Sequence, residues 1–459
     1  MTEKLTNIEN ANEIDQELEP YDKDLFQELS DNASFQAYEY LNGNKIYRNE
    51  QKRQFLSGEI QNPQLDYPDI NLDNISQVEE TLVSMKTDII SNEQNEVVKQ
   101  AYRWKLNEKI AEIRMMKSVA TGDMDRFKRY SEFIYGKPST EIFDYTIDSI
   151  KTNAENSVDS DNEDVREAAI NLLNVLPKVD SRLVVKLPSE KDIKYAHNQT
   201  MDEMGNLIDI PAELTKIDAK QIQDTFASAL EQVGGENWTI NIDENRTAIG
   251  VNQEAMAVNV PSERTVTRGK LTELVVHEIG THVARRINGE KSRLKLLGIG
   301  LDRYESGEEG VATMREQALS GKASEFKGLD GHLAIGLSLG LDGQPRDFKQ
   351  VYDILEKYYL LKNLNLKKDY LESFEKAQNT AWNRCVRTFR GTDCKTAGVC
   401  LTKDIVYREG NIGVWDLISN KPEEMIRFNV GKYNPTNDRH LWVLTQLGIT
   451  DQDLDSVEK

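Results

Sequence analysis

The stretch HEIGTH, residues 277–282, gathers residue types that do metal chemistry: His277, Glu278 and His282. Imidazole nitrogens and carboxylates are the usual ligands of a catalytic zinc, and a glutamate beside a ligand histidine is placed to act as a general base. The familiar metal-binding pattern H-E-x-x-H has its histidines four apart, about 40° around an α-helix. Here they are five apart, about 140°, so a regular α-helix aims the two rings in different directions. A single π-type turn, with i to i+5 hydrogen bonding, returns them to one face. Gly280 lies inside the interval, and its missing Cβ lowers the steric obstacle to that distortion at a helix-propensity cost of about 1 kcal/mol. The spacing predicts a metal site reshaped by a locally widened helix.

A catalytic zinc needs a third protein ligand. The segment RYESGEEGVATMREQALSG, residues 303–321, offers Glu308 and Glu309 at the start of a predicted helix. Spacing leaves two readings open: one of the pair is the ligand, or Ser306 and Glu309 form a capping box of the S-x-x-E kind. Farther on, NRCVRTFRGTDC sets Arg384, Arg387 and Arg390 at three-residue intervals, along one side of a helix. Guanidinium groups hold carboxylates bidentately, and Lys403 and Tyr407 in LTKDIVY add a cation and a phenolic donor. The plainer readings are a solvated arginine face, a surface lysine and a core tyrosine. Arg285 and Arg286 are expected in ordinary ion pairs or as charge compensation at a helix C-terminus. His332 and His440, set among apolar residues, read as satisfied core histidines, and Trp382, Phe389 and Trp415 as core more than pocket lining.

Elements must position these groups. Residues 1–22 are acidic and without periodicity, which reads as a mobile leader. Residues 23–185 read as mainly helical: Leu106, Ile110, Ile113 and Met116 recur at helical spacing, as do Ala168, Leu172, Val175 and Leu176 before Pro177. The acidic stretch at 153–165 is a candidate boundary between subregions. Residues 186–459 change character. Asp218 is a plausible N-cap for an amphipathic helix ended by Gly234 and Gly235. Strand-like runs WTINI (238–242), TAIGV (247–251) and AMAVNV (255–260) follow and read as an antiparallel meander. A helix from about Gly269 to Ile287, closed by Asn288-Gly289, then carries HEIGTH. The expected fold class is α+β: a zincin-like metallopeptidase core with a small, mainly antiparallel sheet and a largely helical N-terminal region.

The chain has 459 residues, 38% hydrophobic and 29% charged, with a formal net charge of -21. That acidity argues against general nucleic-acid or anionic-membrane binding, which needs a basic surface. No apolar run is long enough to span a membrane and the first residues carry no apolar h-region, so a cytoplasmic protein is expected. Cys385, Cys394 and Cys400 include no C-x-x-C pair and read as reduced thiols.

HEIGTH followed by EEGVA (308–312) resembles the bacterial QEGLA-motif proteins and the eukaryotic microtubule-associated tyrosine carboxypeptidases, which share an H-E-x-x-x-H zinc site. NPQLDYP (62–68), IYGKP (134–138), TFRGTDC (388–394) and LTKDIVYREG (401–410) extend the likeness. The resemblance implies His277 and His282 as Zn2+ ligands, Glu278 as the catalytic glutamate and Glu309 as third ligand. The family motif often has Gln where this chain has Glu308, and an amide cannot replace a carboxylate ligand well, which favours Glu309. Reading EEGVA for QEGLA, with Val for Leu, is a packing change. The implied activity is zinc-dependent removal of a C-terminal residue, Tyr or Phe, from a peptide or protein, with Glu278 as general base toward zinc-activated water. Arg384, Arg387, Arg390, Lys403 and Tyr407 are the candidates for holding the substrate. Two alternatives stand beside it: a regulatory or binding protein with a structural zinc, and an endopeptidase or aminopeptidase on the same core. The oligomeric state is not encoded in any motif.

Overall fold

The computed structural model describes residues 19–32, 40–41, 43–68, 70–179, 185–208, 210, 216–244, 246, 248–366 and 369–449. Most of the expected leader, residues 1–18, lies outside them. Asp22, assigned to its end, is buried: its carboxylate accepts from Lys295 N and Leu296 N, both at 2.8 Å, and from Tyr102 Oη at 2.8 Å.

Side-chain caps set the helix starts in the first part of the chain. The described residues include α1 (Lys23–Asn32), α2 (Lys45–Leu56), α3 (Leu72–Asn92), α4 (Glu96–Thr121), α5 (Met124–Tyr135), α6 (Thr140–Glu155) and α7 (Glu163–Leu173). From α2 to α7 the preceding residue is Asn44, Asn71, Asn95, Asp123, Ser139 or Asn162, and each side chain accepts a backbone N–H of the first turn. Each such cap is worth about 1 kcal/mol. The periodic residues Leu106, Ile110, Ile113 and Met116 of α4 are buried, as are Ala168 and Leu172 of α7.

Next come α8 (Glu190–Met204) and α9 (Ala219–Gln232). Asp218 caps α9 in a full capping box with Gln221, and Gly234 leaves the helix at φ 72°. Three strands follow: β1 (Thr239–Asp243), β2 (Gly250–Asn252) and β3 (Ala257–Pro261). They do not form the expected antiparallel meander. The order is β1-β3-β2, with β1 parallel to β3 (Thr239 opposite Ala257) and β2 antiparallel to it (Val251 opposite Val258). The reason is burial: Val258 and Val260 of β3 are fully enclosed while β1 is mostly exposed, so the most apolar strand takes the centre. The result is a small mixed sheet in a mostly helical α+β chain, with β2 at an edge.

The motif-bearing helix runs continuously as α10 (Arg268–Leu274), a π-helical segment (Val275–Val283) and α11 (Ala284–Lys291). Asn288-Gly289 does not close it, as the sequence suggested. A Cβ on Gly289 would stand 2.3 Å from Gly298 N, so this glycine serves a backbone-to-backbone approach and the helix continues to Lys291. The remaining helices are α12 (Leu296–Ile299), α13 (Glu305–Ser320), α14 (Leu329–Leu339), α15 (Phe348–Leu364), α16 (Tyr370–Thr388), α17 (Ile405–Asn420) and α18 (Asp438–Leu447).

Three large apolar clusters hold these together. One joins α3, α4 and α5 to residues 294–301 and α18; a second joins α6 and α7 to α14, α15 and α16. The third packs α9, β3 and the π-helical segment. The early helices therefore pack directly on the half that carries the motif. Cys385, Cys394 and Cys400 are buried free thiols, and burial pushes Cys394 and Cys400 up to about 12. Among the described residues no helix is long and apolar enough to cross a membrane.

Candidate metal centre

The π-helical segment covers VVHEIGTHV, so the widened turn expected from the five-residue spacing is present across the whole motif. Thr281 Oγ1 donates to Val276 O, five residues back, at 2.9 Å. The rings of His277 and His282 come to 4.8 Å between centroids, on one face. Gly280 has a packing reason beyond backbone ease: a Cβ there would stand 2.7 Å from Met204 Sδ and 3.3 Å from Leu207 Cδ1.

Two carboxylates approach the rings from the front. Ligand-capable atoms of His277, Glu278 and His282 lie within 4.8 Å of one another. Glu309 Oε2 lies 3.7 Å from His277 Nε2 and 3.9 Å from His282 Nε2, buried and without a hydrogen-bond partner among the described residues. Burial pushes the Glu309 carboxyl up, against the pull of the two histidines. An orphaned carboxylate oxygen facing two imidazole nitrogens is costly unless something positive joins them. Two imidazoles and a carboxylate are a donor set suited to zinc, and bonds of about 2.0–2.2 Å let one ion join atoms up to roughly 4 Å apart.

Behind the rings stands a second layer of carboxylates. Glu308 Oε1 lies 3.0 Å from His282 Nδ1, and the same carboxylate takes Lys432 Nζ at 2.5 Å and Arg285 Nη1. Arg285 is fully buried and also donates to Tyr433 O at 2.8 Å. Burial would raise the Glu308 carboxyl, but Lys432, Arg285 and His282 hold it well below the usual range. Glu316 Oε1 lies 2.9 Å from His277 Nδ1, an ion-pair distance out of line for a good hydrogen bond. Lys327 Nζ supports Glu316 at 3.1 Å. Burial alone would lower the His277 imidazole; its acidic neighbours Glu316, Glu278 and Glu309 instead raise it to about 9.

The structure thus divides the adjacent glutamates: Glu309 faces both Nε2 atoms, and Glu308 is engaged behind His282. It corrects the capping-box reading of Ser306 and Glu309. The helix α13 starts two residues earlier, after Tyr304, with no side-chain cap, and both residues lie inside it. The glycine after Glu309 also has its reason. A Cβ on Gly310 would meet Gly410 O at 2.4 Å, and one on Gly410 would meet Ser306 O at 2.0 Å. These glycines let α13 and α17 touch backbone to backbone, which fixes the depth of Glu309.

The histidines open into a cleft of about 470 Å³. Of the expected substrate residues, Arg387, Lys403 and Tyr407 line it, and Arg384 and Arg390 do not. Arg387 is paired bidentately with Asp404, Nε at 2.8 Å and Nη2 at 2.7 Å, and Arg384 Nη1 reaches the same carboxylate at 2.7 Å. Arg390 falls beyond the end of α16 and is buried. Lys403 Nζ is held by both oxygens of Glu305 at 2.6 Å. Trp382, Phe389 and Trp415 are core, and His332 and His440 are buried with partners Glu409 and Asn434 N. Arg285 and Arg286 differ: Arg286 makes a helix ion pair with Glu290, whereas Arg285 is built into the second layer.

Several cleft residues were not singled out from sequence. Lys105, Lys109 and Glu112 of α4 form one wall, and β2 with its flanks, including Arg246 and Glu254, forms another. The charged positions 105, 108, 109 and 112 follow helical spacing beside the apolar stripe, a readable signal. Nothing local marked Lys432. No curated protein matches the chain by sequence. Residues 180–329, which hold His277, Glu278, His282, Glu308, Glu309 and Glu316 but not α4, Arg387, Lys403 or Tyr407, match the family model described as microtubule-associated tyrosine carboxypeptidase.

Proposed function

We propose that the chain is a zinc-dependent carboxypeptidase with a zincin-like core, removing a C-terminal residue, Tyr or Phe, from a peptide or protein. The observation that carries this reading is the convergence of His277 and His282, through the π-helical segment, on the orphaned carboxylate of Glu309. The family match over residues 180–329 supports the carboxypeptidase class.

In this reading His277, His282 and Glu309 hold the ion; Glu308 fixes the His282 ring from behind by a hydrogen bond, as outer carboxylates do at zinc sites, and Glu316 faces the His277 ring at ion-pair distance. When bound, zinc supplies Lewis-acid chemistry, acidifying water and polarising a carbonyl. Glu278 takes the proton of the attacking water on its carboxylate and passes it to the leaving amine. The edge strand β2 borders the cleft and offers backbone groups to an extended peptide. Arg387, oriented by Asp404, and Lys403 receive the substrate's terminal carboxylate, and Tyr407 donates to the carbonyl oxygen as its charge grows. Arg384 braces this wall through Asp404 without entering the cleft, and Arg390 lies outside it.

The test is incubation of the zinc-loaded protein with a mixed peptide library, read by mass spectrometry of both termini. Loss of single C-terminal aromatic residues supports the reading. Internal cuts, N-terminal trimming or no cleavage by protein carrying stoichiometric zinc contradicts it.

A further inference from the structure

A second concavity, of about 880 Å³, lies on the far side of the cleft wall, enclosed by α3, α4 and α5. The helix α4 serves both. Lys105, Lys109 and Glu112 face the cleft, while Asn107, Ile110, Ala111 and Arg114 face this groove. At about 100° per residue these sets lie on opposite sides of the helix. The end of α5 is shared as well, with Ile134 and Tyr135 toward the cleft and Tyr130 and Phe133 toward the groove.

Three large apolar side chains are exposed in the groove. Val83 and Ile90 of α3 are 41% and 43% exposed, and Phe133 is 43% exposed. Val83, Thr87 and Ile90 recur at i, i+4 and i+7, a stripe about 10 Å long. The rim is basic, although the chain's net charge is -21. Lys86, Arg114, Arg129 and Lys137 line the groove against one carboxylate, Glu132. Arg114 is matched by Glu79 at 2.7 Å and Lys137 lies 3.7 Å from Glu132, but Lys86 and Arg129 make no ion pair among the described residues.

We propose that this groove docks an acidic amphipathic helix of a partner protein. Its apolar face covers the Val83, Ile90 and Phe133 patch, and its carboxylates pair with Lys86 and Arg129. In helix-in-groove recognition the apolar face of an amphipathic helix lies in such a concavity. The cation rim selects for acidic character. Arg303, a residue of the cleft, lies over the Phe133 ring at 5.1 Å, so a docked partner sits next to the candidate active site. The proposal concerns binding and does not depend on the reaction assigned to the cleft.

The test uses the full-length protein and two fluorescein-labelled designed helices. Each has about four turns with leucines on one face; the remaining positions are mostly glutamate in one and mostly lysine in the other. Fluorescence anisotropy should show saturable binding of the acidic helix and at least tenfold weaker binding of the basic one. Lys86→Glu with Arg129→Glu should reverse that preference. Phe133→Ser with Val83→Ser should weaken the acidic helix at least tenfold while far-UV circular dichroism and Tm stay near those of the unaltered protein. Absence of saturable binding, equal binding of the two helices, or binding indifferent to both pairs of substitutions overturns the proposal. So does a dimer in sedimentation equilibrium that Phe133→Ser dissociates, since the groove would then be a self-association face.

Discussion

Glu308 and Glu309 are neighbours on α13, yet they serve opposite sides of one ring: Glu308 Oε1 lies 3.0 Å from His282 Nδ1, and Glu309 Oε2 lies 3.9 Å from His282 Nε2. Glu308 also neutralises Arg285 and Lys432, both buried. The substitution Glu308→Gln leaves two buried cations without their counter-charge and should destabilise the fold by about 3–5 kcal/mol. Zinc affinity should fall by about 10- to 100-fold as well. Chemical denaturation and competition with a chelator measure the two effects separately. An unchanged affinity would show that the carboxylate behind the ring does not orient it.

The second prediction concerns Gly280. An alanine methyl would stand 2.7 Å from Met204 Sδ in a packed interior. Overpacking of this kind costs about 1–3 kcal/mol, more than the roughly 1 kcal/mol of helix propensity that alanine gains. Gly280→Ala should therefore lower stability, and Met204→Ala should relieve it. A double-mutant cycle by urea denaturation should give a coupling of at least about 1 kcal/mol. Strict additivity would mean that Met204 is not what keeps the glycine.

Asp404 predicts a pH dependence. Burial pushes its carboxyl up, but Arg387 and Arg384 overcome that and hold it well below the usual range. A carboxyl depressed in the folded state stabilises the protein above its unfolded value of about 3.9; that contribution is lost as pH falls toward the folded value. The native protein should lose stability steeply below about pH 4. Asp404→Asn should be less stable at pH 7 and should show a shallower slope between about pH 4 and pH 2 in Tm against pH. Parallel curves for the two proteins would remove Asp404 as a source of acid sensitivity.

Arg387 reaches the cleft wall while its guanidinium is braced by Asp404. If it receives a terminal carboxylate, Arg387→Ala should raise KM for free-carboxylate peptides by about tenfold or more, equivalent to roughly 1.5–3 kcal/mol for a charged hydrogen bond. Peptides ending in an amide should be affected much less. Steady-state kinetics on matched acid and amide substrates compare the two, and equal loss on both would assign the residue a structural part only.

Much of the centre could be read in the sequence because helical geometry is stringent. Two histidines five positions apart, as His277 and His282 are, cannot share an ion on a regular α-helix, so the π-helical segment follows from the spacing itself. Asp218 was legible for a similar local reason, since its side chain caps its own helix. The strand order was not legible. Three short runs in sequence suggest a meander, and only the burial of Val258 and Val260 explains why β3 lies between the others. Tertiary partners were equally hidden: Lys432 reaches Glu308 across 124 positions, and the charged stripe on α4 meets a cleft built by the other half of the chain. The arginine row at 384, 387 and 390 shows the limit from the other side. Its regular spacing suggested one function, while α16 ends at Thr388 and sends the third arginine elsewhere.

The most direct test of the account is a zinc-edge anomalous difference map from crystals grown with stoichiometric zinc. A single strong peak bonded to His277 Nε2, His282 Nε2 and a Glu309 oxygen, with Glu308 still behind His282, is the predicted result. A map with no peak between the two rings, or a peak bonded to Glu308 in place of Glu309, would contradict it.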